Sequence, residues 1–477
     1  AQAAWVMEQA RRQGTPVTVS GARTGICAGA VPPGGYLVSL EKMDRVLRLQ
    51  AGPRGFELTM GSGVRLCDLA EMLRRGDLAV EDEPEAVREF SKSRTGYLYP
   101  PDPTETTATI GGTVATNASG ARTFYYGPTR EYVTGLEAVL PTGELLKLRR
   151  GDIRERGGKF TVKREQGRPL VIPAPSYRMP RTKHAAGFYS VPGMDLVDLF
   201  IGSEGILGIV TKVTVRLVRE PPAVMGAVAF FDGEAQALAF VERARKEPSR
   251  PLALEYFDRA SLELLRAARE MQGSASEIPE IPETGGAVYF EFVYDGEADL
   301  RERVERWSGA AGDGSSADPW GALTRRDIDR LKTFRHTLPE TVNKIVARKR
   351  RADHSIHKVG TDMAVPHDRL EEMMACYRDT LEKEGLEHVI FGHVGDSHLH
   401  VNMLPGSSRE LQRAKELYRL FARKAVSLGG TVSAEHGIGR IKKEYLPILY
   451  DQEALGQMRR IKDILDPEGI LNPGVLL

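Results

Sequence analysis

His393, His398, His400 and His436 are four of only ten histidines in the chain, and Glu435 stands directly before the last of them. Imidazole and carboxylate are the donors a divalent ion uses in catalysis, and two histidines with one carboxylate leave a position open. A neutral imidazole is also suited to accept a proton near pH 7. His393 and His400 are seven residues apart, which puts them on opposite faces of an unbroken strand. Gly395-Asp396-Ser397 can bend the chain between them and let both converge. His398 and His400, two apart, share a face if the strand resumes. A single histidine is more often a packed or surface donor than a ligand. The grouping with Glu435 in a Gly-rich turn favours a site.

A second set of residues can cradle a large anionic ligand. Gly21, Gly25 and Gly29 follow a short strand, and glycine lets backbone amides turn toward a phosphate without Cβ obstruction. Thr24 adds a hydroxyl. The loop lacks the GKS or GKT of a Walker A site and the GxGxxG spacing of an NAD-type turn. The stretches TIGGTVATNASG (109–120) and Gly202-Ser203-Glu204-Gly205, continuing through Leu207-Gly208-Ile209-Val210-Thr211, are similarly poor in bulk. Each alone reads as a tight turn, but chain this poor in bulk packs close to something flat or extended, and three such segments together point to one large bound cofactor.

The elements that must position these residues are partly legible. Residues 1–13 read as a helix stopped by Gly14, and 16–20 and 36–40 as strands. A strand ends near Met60 and a helix covers 64–75. Strands at 133–140 and 144–149 flank the turn Pro141-Thr142-Gly143, and 205–217 reads as strand. Pro221-Pro222 marks a boundary. Beyond it, strand 227–231, helix 234–246, strand 288–294 and helix 297–308 suggest a ferredoxin-type α/β unit. Residues 273–286 and 309–320 are polar and read as mobile surface loops. A His-rich strand region at 388–404 and helices near 409–428 and 451–465 complete the chain.

Length and charge narrow the class. A chain of 477 residues exceeds one typical core and predicts two or three domains. Lys plus Arg is 66 against 65 Asp plus Glu, which gives no support for nucleic-acid coating. No stretch of 18 apolar residues occurs. Cys27, Cys67 and Cys376 cannot build an iron–sulfur cluster alone or form a disulfide framework. A cytoplasmic location follows as the simplest expectation, with peripheral membrane contact left open. The chain begins Ala1-Gln2-Ala3-Ala4-Trp5 as if inside a helix, so upstream residues are expected to be absent from this numbering.

Seven segments resemble one family: GARTGICAGAVPPGG, PPDPTETTATIGGTVATNASGA, GLEAVLPTGE, LFIGSEGILGIVTKVTVRL, FGHVGDSHLHVN, SAEHGIGRIKKEYL and LDPEGILNPG. They stand in the order found in the flavin family of D-lactate dehydrogenase, the glycolate oxidase D-subunit and D-2-hydroxyglutarate dehydrogenase. The resemblance implies an α+β fold. Its parts are a vanillyl-alcohol oxidase (PCMH-type) FAD-binding domain over 1–218, a ferredoxin-like substrate cap over 219–450, and a C-terminal segment, 451–477, returning to the FAD domain. It implies noncovalent FAD. Attachment through the first loop is excluded, because position 26 is Ile and the loop has no His.

By the same resemblance, Ser20, Gly21, Arg23, Thr24, Gly25 and Gly29 line the cofactor from the first loop. Pro101, Thr109, Gly111, Gly112, Ala115, Thr116, Asn117 and Gly120 do so from the second segment. Gly202, Ser203, Glu204, Gly208 and Ile209 come from the third, and Asn472 from the C-terminus. Arg23 either contacts the pyrophosphate or points to solvent, and Cys27 reads as a small buried filler. His393, His400 and Glu435 match the ligands of a divalent ion, Zn or Mn. His436 matches the base that takes the hydroxyl proton while hydride passes to flavin N5. Asn402 matches a polar pocket residue, and Arg335 in FRHTLPETVN matches a substrate-carboxylate clamp.

Besides Gly21-Ala22-Arg23, where the family has three glycines, the chain departs from the family in three places around the substrate pocket. Ser397-His398 stands where Gly-Asn is usual, so His398 is an extra pocket donor or a replacement for the lost amide. Pro339 replaces a Thr. A pocket Lys is displaced, with Lys358 two residues before Gly360 as its nearest counterpart. The last two weaken the case for a dicarboxylic substrate. Lys183 in TKHAAGF can serve substrate or cofactor, and the run Arg348 to Arg351 reads as a solvated face.

The resulting expectation is an enzyme that oxidises a small D-2-hydroxy acid to the 2-oxo acid. Its electrons go to an external acceptor: a quinone, a cytochrome, an electron-transfer flavoprotein or oxygen. The alternatives are an FAD subunit with an iron–sulfur partner in a glycolate oxidase-type complex and, more weakly, an ether-lipid synthase. Oligomeric state is left open, a homodimer included.

Overall fold

The structure is a computed structural model and describes residues 1–52, 54–78, 80, 84–93, 96–164, 167–273, 276–312 and 315–477. Strand Ile209–Arg216 is β-branched and alternating, with Val213 and Val215 fully buried. It takes the centre of a five-stranded antiparallel sheet, between Gly55–Gly61 and Val133–Val139. Val46–Gly52 and Leu145–Arg149 form the edges. The Pro141-Thr142-Gly143 turn closes its last hairpin, with the Gly143 amide donating to the Leu140 carbonyl at 2.8 Å. Beside this sheet a parallel pair, Val17–Ser20 and Tyr36–Ser39, opens into the loop 21–35.

The second Gly-rich segment contains a helix that composition conceals. Ile110–Thr116 is helical, capped by Thr109, whose Oγ1 accepts from the Gly112 amide at 3.3 Å. Ile110, Thr113 and Val114 are buried, and Gly111, Gly112, Ala115 and Thr116 face a cavity. Two glycines in seven residues suppress helix propensity, so the amphipathic face of this turn was invisible to a propensity reading.

The second sheet has seven strands, all antiparallel. Its order is Ser315–Ala322, Ala223–Phe231, Gly286–Tyr294, Ala253–Asp258, His388–Gly392, His400–Met403, Val359–Gly360. The first four follow the ferredoxin-type order, and the last three extend the sheet with the histidine-bearing hairpin. Helix Arg325–Ala352 crosses this half with Pro339 inside it. No local pattern marks this helix, and proline in a helix interior ordinarily breaks one. The Arg348 to Arg351 run forms its last turn, where positive charge suits the helix C-terminus.

The two expected mobile loops need correction. Most of 309–320 belongs to helix Gly296–Ala311 and edge strand Ser315–Ala322. In 273–286, Ile278 and Ile281 are buried, and Arg266 and Arg269 donate to the carbonyls of Ile278, Ile281 and Pro282. Apolar anchors inside a polar stretch dock it against the core. Residues 274–275 and 313–314, within these loops, lie outside the described residues.

Several contacts tie the parts of the chain together. The C-terminal chain returns to the first strand, where Val17 donates to Ile470 and Asn472 to Val17. Gly439 (φ 54°) packs so closely that a Cβ there would meet the Cys27 carbonyl oxygen at 1.9 Å. Arg122, at the end of the second Gly-rich segment, donates to Glu291 of the seven-stranded sheet at 2.7 Å. Glu291 is buried, and Tyr289 donates to its other oxygen. Arg122→Met leaves that carboxylate without its cation. We expect a loss of about 3–5 kcal/mol, read by urea unfolding; a loss below about 1 kcal/mol would show that the pair does not join the halves.

Candidate active site

Between the two sheets lies a cavity of about 370 Å³. One wall is the loop after Val17–Ser20. The amides of residues 22–29 donate to no protein acceptor. Gly25 and Gly29 leave open space where a Cβ would stand. Ser20 and Ser119 line the same wall with buried hydroxyls that have no protein partner. Unused donors around open space are what a phosphate-bearing ligand needs. On these observations the wall fits the pyrophosphate-bearing part of FAD.

The opposite wall carries His393, His400 and His436, with His398 fully buried behind them and off the cavity lining. The bend at residues 393–398 returns the chain so that one donor atom each from His393, His398, His400 and Glu435 lies within 4.8 Å of the others. On each imidazole one nitrogen faces an oxygen. His393 Nδ1 lies 2.5 Å from Glu255 Oε1, and His400 Nδ1 is 3.1 Å from the Thr361 carbonyl. His398 Nε2 lies 3.0 Å from Asp362 Oδ1, a short contact off the hydrogen-bond direction. The other nitrogen of His393 is 3.1 Å from Glu435 Oε2, and that of His398 is 3.7 Å away. Inward lone pairs with outward partners are the arrangement that orients imidazole ligands, so the donor set fits a divalent ion.

Burial and pairing set the charges of these groups, and an ion bound here would displace the second proton of His393. Burial opposes ionisation of Glu435, but Lys183 at 3.3 Å and His393 outweigh it and hold the carboxyl well below its usual range. Burial disfavours charge on His393, yet Glu255 pushes it up to about 9. Burial pushes His398 down to about 4; burial, with His398 and His436 beside it, keeps His400 well below the usual imidazole value. Asp362 is buried, and His436 and Lys442 hold it well below the carboxylate range against that burial. Its Oδ2 accepts from Ser433 Oγ and Lys442 Nζ, both at 2.6 Å, and from the His436 amide at 3.1 Å. His436 Nδ1 lies 3.3 Å from the same oxygen, and the ring stacks on His400 with centroids 5.4 Å apart.

Most positions singled out from sequence meet here. Ser20, Gly21, Arg23, Thr24, Gly25, Gly29, Thr109, Gly111, Gly112, Ala115, Thr116, Ser203, Glu204, Gly208 and Asn472 line the cavity, as do His393, His400, Glu435 and His436. Pro101, Asn117, Gly120, Gly202 and Ile209 do not. Asn117 ends the helix at φ 50° and accepts from the Arg130 amide, and Gly120 packs on the Asp102 carbonyl. Gly202 donates to Val114, and Ile209 is a buried strand residue. Arg335 is also absent from the wall; it stands in the field of Glu255 with Nη2 at 2.8 Å from His336 Nε2. Asn402 is buried opposite Gly360, and Lys358 is half-buried; neither lines the cavity. Arg23 is paired with Glu41 at 3.4 Å and is largely exposed. Asp362 and Glu255 escaped the sequence reading. Asp362 follows the Gly360 already singled out; nothing local marks Glu255.

The comparisons with known proteins agree with this architecture. The FAD-binding domain model matches residues 1–91 and 85–149, and the model for the C-terminal domain of FAD-linked oxidases matches 220–476. D-lactate dehydrogenase of Anaerostipes hadrus is 31% identical over 96% of this chain and 84% of its own length. D-2-hydroxyglutarate dehydrogenase of Xanthomonas citri pv. viticola is 31% identical over 99% and 86%. The solved structure of an alkyldihydroxyacetonephosphate synthase superposes with a TM-score of 0.65 at 15% identity, covering 99% of this chain and 74% of that one. The chain belongs to the FAD-linked oxidase family. Its fold is the vanillyl-alcohol oxidase type with a ferredoxin-like cap, and it is an FAD-dependent oxidoreductase.

Glu204 joins the two walls by accepting from the Ile438 amide at 2.8 Å and the Gly439 amide at 2.6 Å. Burial still dominates and pushes its carboxyl up to about 7 from the ordinary 4.5. The folded carboxyl keeps its proton where the unfolded one loses it, so wild-type stability falls as pH rises across that window. Glu204→Gln has no such titration. Its stability relative to wild type is expected to climb between pH 4.5 and 7, followed by urea unfolding at stepped pH; parallel curves would refute the assignment.

Proposed function

We propose that the protein oxidises a small D-2-hydroxy acid, of the D-lactate or glycolate kind, to the 2-oxo acid and passes the electrons to an external acceptor. The observation that carries this reading is the meeting of the unused amides of loop 22–29 with His393, His400, Glu435 and His436 in one cavity. The names of the relatives point the same way. When bound, FAD supplies the two-electron acceptor. A divalent ion held by His393, His400 and Glu435 supplies a Lewis acid for the substrate hydroxyl and carboxylate.

The chain's own residues handle the proton. His436 turns Nδ1 to Asp362, which leaves Nε2 to accept the hydroxyl proton. The buried carboxylate keeps the ring in that tautomer and stabilises the imidazolium that forms, as a buried Asp does behind a catalytic His. Lys442 and Ser433 keep Asp362 ionised and in place. Lys183 does the same for Glu435. Arg335 serves as a positioning residue, because its charge falls on Glu255, which holds His393. Arg23, exposed and paired with Glu41, is the one Lys or Arg among the described lining residues. Among the described lining residues no buried cation is therefore set for a second carboxylate, and buried Lys183 is already paired with Glu435, which favours a small monocarboxylic acid.

Anaerobic flavin absorbance, titrated with D- and L-2-hydroxy acids, tests the reading. A small D-acid is expected to bleach the flavin, chelation to abolish bleaching and metal return to restore it. A yellow protein that no hydroxy acid reduces would overturn the reading. His436→Gln is expected to slow reduction by about 10²–10⁴-fold at unchanged FAD content. A variant within twofold of wild type would remove His436 as the base.

A further inference from the structure

The metal reading above uses two histidines and Glu435, and it leaves His398 unexplained. His398 is fully buried, yet its Nδ1 has no hydrogen-bond partner in the protein. A buried polar atom without a partner costs free energy and calls for an occupant, most simply an ion. Nδ1 is not turned into apolar packing. It faces Glu435 Oε2 at 3.7 Å, and the ring centroid lies 4.4 Å from that of His400 and 5.4 Å from that of His393. One donor atom of His398 lies within 4.8 Å of those of His393, His400 and Glu435. Behind it, Asp362 Oδ1 stands 3.0 Å from Nε2, off the hydrogen-bond direction but on the side from which a carboxylate can orient a ligating imidazole.

We infer that His398 is a fourth protein donor to the same ion, through Nδ1. The inference rests on the metal reading and deepens it. The donor set becomes three imidazoles and one carboxylate. Four protein donors close a tetrahedral ion, whereas an octahedral ion keeps two positions. Two is the number that the hydroxyl and one carboxylate oxygen of a 2-hydroxy acid fill. The site therefore selects an ion that expands to six neighbours, as Mn²⁺ does, over one held at four. Asp362 would then set both the fourth ligand and the base, since it also faces His436.

The test is X-ray absorption at the metal edge of the FAD-loaded full chain reconstituted with Mn²⁺, with imidazoles counted from multiple scattering. Wild type is expected to show three imidazoles and His398→Asn two. The Mn²⁺ dissociation constant of the variant should rise at least about tenfold, at unchanged FAD content and melting temperature. Two imidazoles in wild type would overturn the inference and leave the metal site standing. A variant with unaltered count and affinity would do the same. A wild-type protein that takes up neither Mn²⁺ nor Zn²⁺ after chelation and return would remove the metal reading itself. If His398→Asn does not fold, the wild-type count alone decides.

Discussion

The buried Asp362 carboxylate is the constraint on which the histidine wall depends. A charge without solvent must be paired, and removing its partners leaves a cost of several kcal/mol, of order 3–5. Lys442 supplies the countercharge, and Ser433 and the His436 amide complete the bonding of Oδ2. These partners come from one short turn, so satisfying Asp362 also fixes where Glu435 and His436 stand. The neighbours of Asp362 extend the effect. The Thr361 carbonyl meets His400 Nδ1, and Gly360 pairs with Asn402. Three consecutive residues thus face His436, His398, His400 and the strand that carries Asn402.

The two walls of the cavity rely on different physics. The cofactor wall is built from backbone amides, and side chains there must be small or absent. The histidine wall is built from side chains whose outer atoms are occupied by oxygen partners. Their seam is the contact of loop 21–30 with the turn 434–440. The Arg440 amide donates to the Cys27 carbonyl at 2.8 Å, and Gly439 is required there by space. Cys27 is buried in this seam and burial pushes its thiol up to about 11, which makes it packing material and not a nucleophile. No helix among the described residues is long and apolar enough to cross a membrane.

What the sequence determined by itself is whatever depends on a few adjacent residues. Strand alternation, glycine-stopped helices, the Pro-Thr-Gly turn and the amide-rich loop are local, and they placed many of the elements, while the fold class came from the resemblance of seven short segments to one family. The histidine grouping was legible because a bend at Gly395-Asp396-Ser397 suffices to bring its members near. Local rules misread the 110–116 helix and missed 325–352, where packing overrides glycine and proline. The tertiary structure alone decided which charges meet. Glu255 reaches His393 across 138 positions, Lys183 reaches Glu435 across 252, and Glu204 reaches Ile438 across 234. Arg335 turned toward Glu255 and His398 toward Glu435 by the same kind of pairing. Buried charges settle on partners brought by separate strands and turns, and no period or spacing in the chain encodes that choice.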